Sequence, residues 1–413
     1  MTQTTSLKAN GVMVLVAGAL VLSLSMGIRQ SFGLYLEPMT RDLAISHSSF
    51  SLAIALQNLL WGALTPLVAS VADRWGTART LALGGLAYAA GLLVMAWVPT
   101  LAGLQLGAGV LVGIAVSATG FPLVLSAVAR HAPENRRGAW LGMATAGGSL
   151  GQFILLPTSQ GLIGSFGWVS SLLVLSVAAA FIVPLAWPLQ GRPVATGADS
   201  QPLGAALREA GRHRGYWLLN AGFFVCGFHV AFVATHLPAF LTSEGLSPTV
   251  GATALALVGF FNIIGSFAAG WLGTRLPMKR VLTGIYLARA LLIMLMMAAP
   301  LTPLTASLFG AGLGLLWLGT VPLTSGLVSQ IFGARYLATL FGVVMLSHQV
   351  GAFLGAWLGG LSYDLTGSYN VVWWMAAGLA LISAALHWPI ADQPLRPAAT
   401  PSPGRPSGAA AAD

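Results

Sequence analysis

The sequence predicts an all-α polytopic membrane protein in which twelve transmembrane helices form two pseudo-symmetric six-helix bundles. Composition gives the first reason: of 413 residues, 56% are hydrophobic and only 7% are charged, whereas a soluble domain is about 25% charged. The 51 glycines suit this class, because small residues let membrane helices approach closely. A series of long apolar runs and an internal repeat then specify the number of helices and their arrangement.

The apolar runs are long enough to cross a membrane. A spanning helix needs about 20 mostly apolar residues, and the longest polar interruption, 191–214, separates six such runs from six. We therefore expect bundles over 1–190 and 215–391, joined by a cytoplasmic linker. A disordered cytoplasmic tail is expected over 392–413, where prolines and alanines cannot form a packed core. The predicted spans are 11–37, 46–71, 78–98, 101–129, 138–165, 168–189, 216–242, 248–273, 280–299, 303–331, 337–364 and 370–390.

The distribution of basic residues predicts the orientation. With the N-terminus in the cytoplasm, 16 of the 19 lysines and arginines fall on the cytoplasmic side, as positive charges do in membrane proteins. Arg41 falls outside, and Arg29 and Arg289 remain within the membrane. Both termini are therefore expected in the cytoplasm, and the chain in the inner (plasma) membrane. This bias accounts for the net charge of +9; nucleic-acid binding is not expected, because no basic patch is interleaved with aromatic residues.

An internal repeat relates the two halves by a shift of 200 residues. One shift matches residues in four separate helix regions. Two six-helix halves related by an axis along the membrane normal are an architecture of transporters, with the substrate near the midplane between the halves. The matched pairs are Gly27/Gly227, Phe32/Phe232, Pro38/Pro238, Pro122/Pro322, Leu123/Leu323, Gly142/Gly342, Gly151/Gly351 and Phe153/Phe353, with Arg79 opposite Lys279.

The loop after the second predicted span contains a motif. It reads ASVADRWGTAR over 69–79 and resembles the cytoplasmic signature of the major facilitator superfamily, GxxxDRxGRRxx, with alanine in place of the first glycine. A weaker second copy, GWLGTRLPMKR over 270–280, lacks the acidic residue. With the twelve spans, the resemblance covers about 10–390 and implies the major facilitator fold and alternating access. It also implies that Asp73, Arg74 and Arg79 form a breakable cytoplasmic gate; alternatively, these charges only set the topology.

The ionisable residues left inside the membrane are cationic or neutral. All ten acidic residues can be placed in loops, tails or helix ends, so no carboxylate is expected near the midplane. An arginine at a helix centre costs at least about 2.5–3.5 kcal/mol. A substrate anion would be the natural partner, because a guanidinium binds a carboxylate at two points; alternatively, Arg29 snorkels to the headgroups. The predicted intramembrane set is Arg29, His229, His236, Arg289, His348 and His387.

The repeat pairs Arg29 with His229, on the first and seventh helices. In major facilitators these helices line the cavity, so the two side chains are expected to face each other across the site. His236 lies seven residues after His229 and shares its helix face. Arg289 is expected either in the site or bracing neighbouring helices. No metal is expected, since no carboxylate or thiol joins the histidines, and no cofactor or catalytic motif is evident, so we do not expect an enzyme.

The first helix also resembles that of the monocarboxylate transporters and their oxalate–formate antiporter relatives. Arg29 followed eight residues later by Glu37 matches their spacing of cation and acid, and RRGAWLGMATAGGSLGQ over 136–152 resembles their fifth helix. Their charged pair in the eighth helix is missing, since Asn262 and Ser266 align with it. The resemblance implies a carrier of small carboxylates that works by proton symport or by anion exchange. The predicted binding residues are Arg29, His229, His236, His348, Gln349, Arg289, Asn262, Asn58 and Gln152.

Other transporters would share this fold. A drug exporter usually carries an intramembrane acid that binds cationic drugs, and the sequence offers none near the midplane. An exporter of drugs or neutral solutes is the alternative to a carboxylate carrier. The predicted partners are a small organic anion, protons in the case of symport, and the lipid bilayer, with function as a monomer.

Overall fold

A computed structural model describes residues 2–191, 203–333 and 337–395, with the backbone alone for 2–10, 203–206 and 338. About half of the predicted linker and nearly all of the predicted tail lie outside these ranges. Within them, all regular secondary structure is helical. Eleven of the described segments are long and apolar enough to cross a membrane, which confirms the predicted class of an all-α polytopic membrane protein.

The fifth of these segments contains two transmembrane helices. It runs over 56 residues, Glu134–Leu189, or roughly 84 Å of helix, nearly three times the ~30 Å hydrocarbon core. At Gly167 the backbone leaves the helical region, with φ 79° and ψ 165°, a conformation that favours glycine. This bend brings the spans among the described residues to twelve, as predicted. They are α1 Gly11–Leu43, α2 His47–Trp75, α3 Thr77–Trp97, α4 Leu101–His131, α5 137–166, α6 168–189, α7 Arg214–Ser243, α8 Pro248–Arg275, α9 Met278–Ala298, α10 Pro303–Phe332, α11 Leu337–Thr366 and α12 Asn370–His387.

Successive helices cross in alternating directions, so their ends lie on two faces. We call the face at which α1 begins the terminal face, and the opposite face, with Leu43, Trp97 and Gly167, the distal face. A short helix, Leu203–Arg212, precedes α7 on the terminal face. The predicted orientation puts the terminal face in the cytoplasm.

The two halves pack their first and fifth helices in the same way. A Cβ atom at Gly27 of α1 would collide with the backbone of α5 at Gly151, and one at Gly151 would collide with the backbone of α1. Shifted by 200 residues, Gly227 of α7 and Gly351 of α11 make the equivalent close approach. Small residues at such positions let two helix backbones touch. The sequence repeat therefore corresponds to a repeated helix–helix contact.

Helices α4 and α10 are both interrupted near their middle. In α4 the break is at Gly120, which has the extended angles φ −81° and ψ −177°. In α10 it covers 316–319. Each break closely precedes one of the prolines matched by the repeat, Pro122 or Pro322, and a break of this kind leaves backbone carbonyls that need new partners inside the membrane.

Arg289 supplies those partners in α10. It lies on α9 and is fully buried, and its Nε and Nη2 donate to the carbonyl oxygen of Leu316 at 3.1 and 2.5 Å. Nη2 also donates to the carbonyl of Trp317, and the guanidinium lies 5.2 Å from the ring centre of Tyr286. Of the two roles considered for Arg289, the contacts fit the brace of a neighbouring helix.

The halves close against each other at the distal face. The carboxylate of Asp364, in the last turn of α11, accepts hydrogen bonds from the backbone N–H groups of His47 and Ser48 at 3.0 and 2.8 Å. These residues begin α2, so an acid of one half sits at the positive end of a helix of the other half. The His47 ring lies 3.2 Å from the Glu37 carboxylate of α1 and 4.3 Å, centre to centre, from the ring of Tyr363. Groups from α1, α2 and α11 thus meet at one point.

Burial of α2 decreases from the distal to the terminal face. Phe50 near the start is fully buried, whereas Leu67 and Trp75 are both 60% exposed. The described contacts between α2 and α11 extend from the distal face to Gly62, where a Cβ atom would lie 2.6 Å from Cγ of Gln349. The half of α2 beyond Gly62, toward the terminal face, is therefore the more exposed half of the helix.

Replacing Arg289 by methionine should destabilise the protein. The carbonyls of Leu316 and Trp317 would lose their donors, at a cost of about 1–3 kcal/mol for each buried group. The thermal unfolding midpoint of the purified protein in detergent should fall by several degrees, whereas Arg280→Met, at an exposed position of the same helix, should leave it unchanged. Equal midpoints for the two variants would argue against the brace.

Replacing Asp364 by asparagine should loosen the distal closure, because a neutral amide is a weaker partner for the start of α2 than a carboxylate. The test uses a protein in which Cys226 is replaced by serine and a cysteine is introduced at Ser51, which is buried in this closure. With Asp364→Asn added, this cysteine should react several-fold faster with a membrane-impermeant thiol reagent. Asp42→Asn is the matched control, since Asp42 binds Trp168 within one half. Identical labelling rates in both variants would contradict the assigned role.

Candidate functional site

Arg29 lies at the end of the regular helical part of α1, just before a 3₁₀ segment, Ser31–Tyr35. Its side chain is partly exposed. Nη2 donates to Oδ1 of Asn58, and the guanidinium lies 4.7 Å from the ring centre of Trp61. Nε has no hydrogen-bonding partner among the described residues. The cation is thus held by neutral groups, and its buried Nε keeps a free donor.

The side of α2 that faces Arg29 carries the residues that contact its guanidinium. Ile54, Gln57, Asn58 and Trp61 are spaced i, i+3, i+4 and i+7, which places them on one side of the helix. The Asn58 amide nitrogen donates to the Ile54 carbonyl at 2.8 Å, and this bond turns Oδ1 toward Arg29. A cation over an indole ring gains about 0.5–2 kcal/mol, which offsets only part of the cost of burying the charge.

A cavity of about 10 Å³ adjoins Arg29. It has room for about one water molecule, so the site is closed in this structure. One side consists of residues from α1 and α2, and the other of residues from α7, so the cavity lies between the two halves, as the repeat predicts for a substrate site. Its wall consists of Arg29, Gln30, Phe32, Gly33, Ile54, Gln57, Asn58, Ala231, Ala234 and Thr235.

The prediction that Arg29 and His229 face each other across the site was wrong. The Nε2 atom of His229 lies 2.9 Å from the carbonyl oxygen of Ala376 on α12, inside its own half. Ala231, Ala234 and Thr235 form the cavity face of α7, and His229 lies two residues from Ala231, or about 200° around the helix.

His236 also faces its own half. Its Nε2 lies 2.7 Å from the carbonyl oxygen of Ala356 on α11, and its ring lies 5.3 Å from that of Tyr369. The shared helix face predicted for the two histidines therefore exists, but it is directed away from the cavity. Neither histidine lines the cavity described here.

His348 and Gln349 are adjacent on α11, and Nδ1 of His348 lies 3.1 Å from Oε1 of Gln349. The ring of His348 lies 5.0 Å from that of Phe223 on α7, within its own half. Gln349 is buried and packs on Gly62 of α2, one helical turn from Asn58. Of the two, Gln349 is the residue that contacts the other half near Arg29.

Asn262 and Gln152 lie at the contact between α5 and α8. The Asn262 amide donates to the hydroxyl of Ser149 at 2.8 Å and accepts from the backbone N–H of Leu318 at 3.0 Å. Gln152 packs on Gly259, about one turn earlier on α8. Asn262 thus connects the two halves and also braces the break in α10.

The three predicted gate residues lie at the terminal face, at the junction of α2 and α3. Asp73, Arg74 and Arg79 are all exposed, and no ion pair joins Asp73 to another described residue within 4 Å. The nearby Arg130 donates to the hydroxyl of Thr77 at 2.9 Å. The role of these residues as a gate stays a prediction. In the described ranges, His, Cys, Asp and Glu form no group of three that could hold a metal ion.

Sequence reasoning missed most residues of the cavity wall and also Trp61, and Gln57, Trp61 and Thr235 illustrate why. Gln57 and Trp61 share the face of α2 that carries Asn58, and the i, i+3, i+4, i+7 pattern of this face was a signal that could have found them. Thr235 completes the cavity from α7. Its hydroxyl lies in an apolar run, where a single threonine gives no distinguishing signal.

Curated relatives resemble the chain over most of its length. An uncharacterised MFS-type transporter of Bacillus subtilis (strain 168), YcxA, is 26% identical over 364 residues, covering 83% of this chain and 86% of the relative. Monocarboxylate transporter 13 of Bos taurus is 26% identical over 401 residues, covering 91% of this chain and 88% of the relative. Both relatives are named as transporters.

A solved structure shares the fold. A bacterial homologue of the human lysosomal transporter Spinster, in an inward-facing and occupied conformation, matches with a TM-score of 0.73 at 15% identity, covering 91% of this chain and 95% of that chain. A family model described as Major Facilitator Superfamily matches residues 15–320. The chain is therefore a transporter that belongs to the Major Facilitator Superfamily.

Proposed function

We propose that the chain is a secondary carrier of small organic anions of the monocarboxylate type, with Arg29 as the anion-binding side chain. The observation that carries this proposal is the position of Arg29 in the cavity between the halves, with a free Nε and no carboxylate in the cavity wall. The carrier moves its substrate by alternating access of this site to the two faces.

The chemistry of the site favours an anion. Asn58 gives Arg29 one neutral acceptor, whereas a substrate carboxylate would pair with the charge and bind two guanidinium donors at once. Nη2 and Nε lie on the same edge of the guanidinium, and only Nη2 is occupied. A carboxylate that displaces Asn58 from Nη2 can therefore also engage Nε.

The class of anion is inferred from relatives and from size. Several relatives at about one quarter identity are named monocarboxylate transporters, and this low identity supports the class without fixing the individual compound. The cavity between the halves is only about 10 Å³ in volume, so a small ligand needs the least widening of the site. Both points favour short carboxylates.

The proposed orientation places the terminal face in the cytoplasm and the chain in the plasma membrane. The bias of basic residues toward the terminal face supports it. In that orientation the distal closure by Asp364 seals the site from the outside. We also propose that a monomer is the working unit, because both halves of the chain contribute residues to one cavity between them.

Replacing Arg29 by glutamine should abolish most carboxylate uptake into proteoliposomes. Losing one partner of a buried charge pair costs at least about 2 kcal/mol, or about 30-fold in apparent affinity. Arg29→Lys keeps the charge but loses the two-point geometry, so an intermediate effect is expected. Arg41→Gln is the matched control, since this arginine is 81% exposed. Normal uptake by a folded Arg29→Gln protein would remove Arg29 from the mechanism.

We further propose anion exchange as the mode of transport. The described cavity wall has no carboxylate that could carry a proton, and His229 and His236 face their own half. Vesicles preloaded with unlabelled carboxylate should therefore take up labelled carboxylate several-fold faster than empty vesicles. An acidic outside without internal anion should drive little accumulation. Strong accumulation under that pH gradient alone would indicate proton symport instead.

A further inference from the structure

Gln57 lines the cavity and has a hydrogen-bond acceptor, Oε1, without a donor in the described part of the chain. The side chain is 1% exposed, and its Nε2 donates to the carbonyl oxygen of Ala108 on α4 at 3.0 Å. A carbonyl oxygen can only accept, so this bond fixes which end of the amide is nitrogen. The other end, Oε1, has no partner among the described residues.

The segment that fixes Gln57 is irregular. Ala108 lies in a π-helical stretch of α4, Gln105–Leu111, and such stretches occur frequently at functional sites. A buried acceptor without a donor is costly in a membrane. The buried Oε1 therefore calls for a donor, and Gln57 is part of the cavity wall.

Two complementary groups thus lie in one cavity wall. Arg29 has a free donor at Nε, and Gln57 has a free acceptor at Oε1. A single water molecule could contact both when the site is empty, since the cavity has room for about one. A ligand that replaces this water has to offer an acceptor to the arginine and a donor to the glutamine.

We propose that Gln57 determines specificity within the proposed function: its Oε1 accepts a hydrogen bond from the 2-hydroxyl group of a carboxylate bound at Arg29. The site then prefers 2-hydroxy acids. A 2-oxo acid places one acceptor against another, and an unsubstituted acid leaves Oε1 without a donor. A 2-amino acid offers a donor but brings a positive charge close to Arg29.

The test compares uptake of 2-hydroxypropanoate, 2-oxopropanoate and propanoate into proteoliposomes. The wild-type protein should prefer the hydroxy acid over both other acids by about tenfold or more, because a site that hydrogen-bonds a hydroxyl group discriminates against analogues lacking it. In Gln57→Met, which has a similar shape but no acceptor of comparable strength, hydroxy-acid uptake should fall to the level of propanoate. The decisive quantity is the ratio of hydroxy-acid to propanoate uptake, which should fall to about one.

Gln105 is the matched control. Its Nε2 also donates to a backbone carbonyl, that of Ser49 at 2.8 Å, and its Oε1 is likewise unpartnered. It is not part of the cavity wall, so Gln105→Met should keep the preference for the hydroxy acid. Gln57→Leu serves as a second variant if Gln57→Met unfolds.

The outcomes separate this inference from the proposed function. If the wild-type protein transports carboxylates but the ratio of hydroxy to oxo acid is unchanged in Gln57→Met, only the role of Gln57 is wrong. An equal loss for all three acids would make Gln57 a structural residue and would also overturn the inference. If the wild-type protein takes up none of the three, the proposed function falls and the role of Gln57 falls with it.

Discussion

A polar group buried in a bilayer has to find its hydrogen-bonding partner within the protein, and this constraint decides which side chains remain available to a ligand. Arg289 is bound to carbonyls freed by the break in α10, and His229 and His236 contact carbonyls of α12 and α11. These cationic or titratable side chains thus stabilise helix packing through contacts with backbone carbonyls. Arg29 differs, because its Nε has no partner among the described residues and because it lines a cavity between the halves.

The fold was predictable from the sequence because its causes are local. Span length follows from the thickness of the bilayer, and glycines repeated at a shift of 200 residues mark where backbones touch in both halves. The predicted boundary between 138–165 and 168–189 agrees with the bend at Gly167, but the continuation of α5 into α6 without a connecting loop was not predicted. Nor was the break at 316–319, which depends on an arginine from another helix.

Only part of the site was predictable, because side chains two residues apart on a helix point to different faces. The repeat equates Arg29 and His229 in position, but Arg29 precedes a 3₁₀ segment while the equivalent part of α7 stays α-helical. The two kinds of helix turn by different angles per residue, so the faces diverge. The side chains also differ in reach, since an extended arginine crosses to α2 whereas an imidazole contacts only the adjacent α12.

Helix α2 connects the site to the closure. It carries Asn58 and Gln57 in the cavity wall, Gly62 against α11, and His47 at the distal closure with Asp364. From His47 to Asn58 the helix is continuous, contains no proline and is roughly 17 Å long. An anion that displaces Asn58 from Arg29 removes a contact between α1 and α2. Helix α2, which loses this contact, also forms one side of the distal closure. Anion binding at Arg29 and opening of the distal closure therefore involve the same helix.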